Sequence, residues 1–202
     1  MKRTTMKRTT MKRHTATKKS TGVILLLLAV ILTLPLEARR GVDELGDIIR
    51  KTKGLYSGTT PVQLRFEQSG SSGRMQGTLS YTSGDRYRLE IPKQTIISNG
   101  TKTWTWYPDK NRVVISKPAA GSGQLTPGQI LTSFPGNYST SLIKSSTVNG
   151  RAVWVVRCLP GSGEKIGDIT GATLYIDKST YRFHQIDVES PSIGTMTIRI
   201  LS

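Results

Sequence analysis

From Pro61 onward apolar and polar residues alternate one for one. Val62, Leu64 and Phe66 are interleaved with Gln63, Arg65 and Glu67; Met75, Gly77, Leu79 and Tyr81 with polar neighbours; Tyr87, Leu89 and Ile91 with Arg86, Arg88 and Glu90. A period of two sends successive side chains to opposite faces, so each run predicts a half-buried antiparallel strand. The turn sequences SGSSG, TSGD, SNGT and PDKN fall between the runs, and Asn99-Gly100 predicts a two-residue hairpin joining QTIIS to TKTWTWY. The same rhythm resumes in STVNGRAVWVVRCL, around a second Asn-Gly at Asn149-Gly150, and in GATLYIDKSTYRFHQIDVES. It ends in GTMTIRIL, where Met196, Ile198 and Ile200 alternate with Thr and Arg.

Two stretches break that period. In GVDELGDIIRKTKG, Val42, Leu45, Ile48 and Ile49 recur at helical intervals, with acids early and bases late. That polarity suits the helix dipole and predicts one amphipathic helix stopping at Gly54. In the loop KPAAGSGQLTPGQILTSFPGNYS, Thr126 caps a short helix with Pro127 at its first position and Ile130, Leu131 and Phe134 on one face.

The count comes to roughly nine to eleven strands and two helices, a mainly β (α+β) chain. An open sheet of that width curls. With only two helices to cover its apolar face, the economical arrangement is a strongly curved antiparallel sheet with a short helical lid over a concave apolar cavity.

Charge and hydropathy change the picture at the N-terminus. Residues 1–20 carry eight Lys and Arg and no acid, and residues 22–36 carry no charge, the order of a secretory signal peptide. The apolar run is shorter than the roughly 20 residues of a membrane-spanning helix. Cleavage is expected after Ala38, giving a leader of residues 1–38 and one domain over residues 39–202. The net charge of +16 then falls to +9, from 21 Lys and Arg against 12 Asp and Glu. A mild attraction to anionic lipid headgroups survives. The thrice-repeated MKR start has a period too short to build a packed repeat.

Titratable groups are few. His184 is the single histidine after the leader, and alternation assigns it to the solvent side; Cys158, the single cysteine, lies in an apolar run and reads as a buried thiol. Asp187 and Glu189 share a strand face as ordinary solvated acids. Neither HExxH nor CxxC nor GxSxG occurs, and PGSGEKIG has the wrong glycine order for a phosphate loop. The chain is therefore expected to be no enzyme and to hold no metal and no cofactor. Trp104, Trp106 and Tyr107 beside Lys102, Lys110 and Arg112 have the composition of a base-stacking platform. The export signal argues against nucleic acid as partner.

The order of motifs resembles the LolA-like lipoprotein carriers of the bacterial periplasm. The resemblance rests on Phe66 and Gln68 in the first strand, Gly77 and Leu79 in the second, and Tyr87-Arg88 in the third. It is most specific in the hairpin Ser98, Asn99, Gly100, Trp104, Trp106 and Pro108, and it extends over nearly all of residues 42–202. It implies an unclosed antiparallel barrel whose lidded interior receives lipoprotein acyl chains and shuttles them from the inner to the outer membrane. It also implies a monomer located in the periplasm, an inner-membrane lipoprotein-releasing ABC transporter as donor, and an outer-membrane acceptor.

For such a carrier, Phe66, Leu79, Tyr81, Tyr87, Leu89, Trp104, Trp106, Ile130, Leu131 and Phe134 are the expected lining and lid. The best-studied branch closes its lid with an Arg-Pro dipeptide after the second strand. This chain has Ser83-Gly84 there, which leaves Arg86 and Arg88 as the candidate closing groups. The other reading is an exported sensor or adaptor of the same fold that binds lipidated or other envelope proteins for signalling.

Overall fold

The computed structural model describes residues 36–117, 126–134, 138–161 and 166–202, with side chains from residue 44 onward. The expected leader, apart from its last three residues, and the centre of PGSGEKIG lie outside the described residues. The chain divides into two compact units, Met1–Arg40 and Gly41–Ser202. Of the first, only the residues from Leu36 are described, as the start of a helix. The second unit holds the fold set out below.

Helix α1 (Leu36–Tyr56) precedes eleven strands: β1 (Val62–Gly70), β2 (Gly73–Thr82), β3 (Arg86–Ile91), β4 (Gln94–Asn99), β5 (Thr103–Tyr107), β6 (Arg112–Ser116), β7 (Tyr138–Val148), β8 (Arg151–Pro160), β9 (Gly171–Asp177), β10 (Phe183–Ser190) and β11 (Gly194–Ile200). They form one antiparallel sheet in the order β6-β5-β4-β3-β2-β1-β11-β10-β9-β8-β7. The sheet is unclosed, with β6 and β7 as its edges. Neighbouring strands are consecutive in sequence everywhere but at one place; the pairing of β1 with β11 alone joins the two ends of the chain.

The turns explain the register. At Asn149-Gly150 both residues have positive φ, 48° and 77°, and Val148 pairs with Arg151, so the expected two-residue hairpin forms. The other Asn-Gly behaves differently. Asn99 donates its backbone N–H to the Lys102 carbonyl, which places Gly100 and Thr101 at the centre of the turn. The Asn99 side chain, instead of occupying the loop, accepts from the Thr101 and Lys102 backbone N–H groups.

The sheet face that carries α1 is the inner one. Its register rows are continuous: Leu64, Leu79, Leu89, Ile96, Thr105 and Val114 in one direction, and Gln68, Ile198, Ile186, Leu174, Val156 and Leu142 in the other. Helix α1 covers part of it with Ile48, Thr52 and Tyr56, each almost fully buried. It runs through Gly54, against the expectation of a stop there. Tyr56 stacks on Phe183 with centroids 5.1 Å apart and accepts the Phe183 N–H at 3.1 Å, and this anchor holds the last turn in place. Burying an aromatic of that size is worth about 1.5–3 kcal/mol, more than the roughly 1 kcal/mol that a helical glycine costs.

Candidate functional site

The lid segment follows from its capping residues. Thr126 Oγ1 accepts the Gln129 N–H at 3.2 Å while Gln129 Oε1 accepts the Thr126 N–H at 2.9 Å, a reciprocal capping box around Pro127. The turn that follows, Gln129–Ser133, is wound as a short π-helix. Leu131 and Phe134 are buried on the inner face, and Phe134 meets Tyr138 edge to face at 5.3 Å.

Between this segment and the sheet lies a cavity of about 280 Å³. Leu64, Phe66, Gln68, Leu79 and Leu89 line it from β1–β3, Ile186, Met196, Ile198 and Ile200 from β10 and β11, and Pro127, Ile130 and Leu131 from the lid. Among the described lining residues Gln68 has the single polar side chain. Among the described residues the lining offers no acid, base or nucleophile, and the chemistry it suits is transfer of an apolar group out of water.

The lid is fastened by an acid. Asp85, on the β2–β3 turn with φ of +52°, accepts the Thr126 hydroxyl at 3.4 Å. Gly128 packs so closely on the Asp85 carboxylate that a Cβ there would displace it, and the Tyr81 hydroxyl lies on the other side. Burial raises the Tyr81 pKa, and the Asp85 charge raises it further. This phenol therefore stays protonated beside the carboxylate.

Of the expected lining, Phe66, Leu79, Leu89, Ile130 and Leu131 meet in the cavity. Tyr81 and Phe134 are buried in the adjoining core, and Tyr87 packs against its margin. Trp104 and Trp106 do not join them. Trp104 pairs with Ile97, Ile97 with Arg88, and Trp106 with Thr95, all on the outer face; Thr103, Thr105 and Tyr107 take the inner positions of β5. Alternation alone fixes that the two tryptophans share a face, and the expectation chose the wrong one.

Arg86 and Arg88 are corrected as well. Arg86 Nε donates to the Ser83 carbonyl at 3.1 Å, and Arg88 pairs with Glu90 at 2.7 Å on the outer face. Neither bonds to a described lid residue; Asp85 does so through Thr126, and Tyr81 through Thr132. The sequence reading missed Leu64, Gln68, Pro127, Ile186, Met196, Ile198 and Ile200. Leu64 and Gln68 share the parity of Phe66 and were legible in principle. The β10 and β11 residues depend on the β1–β11 pairing, which no local signal announces.

A second cavity, near the end of α1, includes Arg151, Asp177, Arg182 and His184. The register of β10 on β9 shifts between Phe183 and Gln185, so His184 sits at a bulge and leaves the solvent side expected for it. Its Nε2 is buried without a hydrogen-bond partner. Burial first, then the Arg151 charge, lowers its pKa and favours the neutral ring. Burial pushes the Cys158 thiol up to about 12. Glu189 makes a bidentate pair with Arg157 at 2.5 and 2.6 Å, so Asp187 and Glu189 do not act as a carboxylate pair. Among the described residues no three His, Cys, Asp or Glu side chains gather as metal ligands.

No family model matches the chain, and no curated protein matches it in sequence. Among solved structures it is similar to an uncharacterized conserved protein from Thermus thermophilus, with a TM-score of 0.52 and 13% identity over 77% of this chain and 83% of that one. It is similar to LprF from Mycobacterium bovis, with a TM-score of 0.50 and 10% identity over 78% and 91% of the two chains. A LolA superfamily protein from Nitrosomonas europaea also matches, with a TM-score of 0.41 and 12% identity over 78% and 91%. At such identities the likeness is one of fold. The unclosed eleven-stranded antiparallel sheet with an N-terminal helix is the architecture expected from the sequence.

Proposed function

We propose that the chain is a non-catalytic, periplasmic carrier that holds lipoprotein acyl chains in the cavity beneath the lid. The observation that supports this reading is the cavity itself: about 280 Å³, walled by aliphatic and aromatic side chains, with Gln68 the one polar group among its described lining residues. At the low end of the roughly 300–1,000 Å³ usual for small-ligand sites, the closed form suits one acyl chain. Cargo with more chains requires the lid to lift.

The lid also makes release feasible. Burying an acyl chain yields about 0.8 kcal/mol per methylene, or about 12 kcal/mol for fifteen. Carriage between membranes requires a weaker net hold. Ile130 and Leu131 occupy cavity wall that cargo would otherwise contact, and displacing each costs about 1.5–3 kcal/mol when it is fully buried. The closed lid therefore lowers apparent affinity by the fraction of molecules that are open.

Titration with a fluorescent fatty acid tests the reading. Saturable binding that is lost in Ile198→Asp, at the cavity wall, supports it; a protein that binds no acyl probe contradicts it. Specific capture of an envelope protein without acyl binding would place the chain with the sensor and adaptor reading.

A further inference from the structure

On the outer face of β4–β6 the side chains that pair across the strands are apolar and open to solvent. Trp104 lies between Ile97 and Ile115, and Trp106 between Thr95 and Val113. Ile97, Trp106, Val113 and Ile115 are 40, 45, 53 and 63% exposed. Strand β6 is exposed along its whole length and forms an edge of the sheet. A contiguous apolar patch of this kind marks a docking surface.

Charge indicates what docks. Residues 86–117 hold seven Lys and Arg against two acids, a net charge of +5 out of the +9 expected for residues 39–202. On the outer face Glu90 is already tied to Arg88. Lys102 and Lys117 flank the two strands just beyond the Thr103–Ser116 pair, and both are exposed. A second copy laid on this face would set cation against cation. An anionic bilayer surface neutralises the same cations and receives the indole rings at headgroup depth, where tryptophan is favoured.

We propose that the outer face of β4–β6 is a docking surface for anionic phospholipid bilayers, with Trp104 and Trp106 seated among the headgroups and Lys102 and Lys117 on their phosphates. This surface is on the opposite side of the sheet from the cavity, so it does not depend on what the cavity carries.

The test uses the full-length chain and vesicles of bromine-labelled phosphatidylcholine, with and without phosphatidylglycerol. Residues 1–38 contain no tryptophan and add no emission of their own, and K102E/K117E carries the same segment, so the comparison separates its pull on the vesicles from that of the outer face. Trp154, half-buried 5.1 Å from Tyr181, is the internal reference that remains in W104F/W106F. Tryptophan emission should be quenched by the phosphatidylglycerol vesicles and much less by phosphatidylcholine alone. K102E/K117E, which keeps all three indoles, should need roughly tenfold or more lipid for the same quenching, from about 1 kcal/mol per lysine at an anionic surface. Absent quenching, or equal quenching in K102E/K117E, overturns the proposal. So does a dimer in sedimentation velocity that Ile115→Glu dissolves, since the occupant would then be a second copy.

Discussion

Phe66 and Gly77 face each other across β1 and β2, and the ring of Phe66 occupies the place of the missing side chain. A Cβ on Gly77 would stand 2.7 Å from Phe66 Cζ and 2.6 Å from the Glu90 carbonyl oxygen. Two of the motif positions read in the first two strands thus form one contact beside the cavity.

Gly77→Ala should therefore push the Phe66 ring into the cavity. The expected cost is about 1–3 kcal/mol of stability, as for other overpacked sites, together with weaker acyl-probe binding. Urea denaturation and probe titration on the same sample check both. Gly77→Ala with Phe66→Leu should recover part of each loss.

The lid latch predicts an effect of opposite sign on binding. A Cβ at Gly128 would displace the Asp85 carboxylate from its place beside Thr126, so in Gly128→Ala the lid loses that contact and the open fraction rises. Apparent affinity for the acyl probe should increase several-fold, because apparent Kd scales inversely with the competent fraction. Limited proteolysis between Thr126 and Ser133 should speed up in parallel. Arg86→Ala and Arg88→Ala, away from the lid, should change neither.

The two faces of the sheet separate by mutation. Ile198→Asp puts a charge on the cavity wall and should abolish acyl binding, whereas Trp104→Asp on the outer face should leave it within about twofold, as surface substitutions remote from a site generally do. Equal loss in both variants would mean that the tryptophans reach the cargo after all.

Acid stability carries a mark of Asp177. Its Oδ1 accepts from the Ser179 and Thr180 backbone N–H groups at 2.9 Å each and from both hydroxyls. The Ser179 hydroxyl first, with the backbone donors, holds this carboxyl well below the usual range despite partial burial. A depressed folded pKa gives stability that is complete above the unfolded value, near 4, and is lost as pH falls through the folded value. Asp177→Asn should flatten the decline of unfolding free energy below about pH 4. Urea denaturation at a series of pH values reads the difference.

Much of the fold was legible because its strands are joined by short turns with strong residue preferences. Alternation located the strands, Asn149-Gly150 formed the expected hairpin, and Thr126-Pro127 started the lid. The pairing of β1 with β11 was not legible, since partners such as Phe66 and Ile200 are far apart in sequence. The facing of Trp104 and Trp106 failed for a related reason. A period of two gives two equivalent faces, and only the register through β2, β3 and β4 assigns them to the outer one. The latch was hidden by scale, because a turn aspartate and a glycine in a loop carry no apolar signal.

Native mass spectrometry of the protein, recovered from the cells that produce it, tests the central claim most directly. A bound mass matching an acylated polypeptide or an acyl lipid, absent from Ile198→Asp, is the predicted result. A ligand-free wild-type protein that also fails to take up added acylated peptide would contradict it.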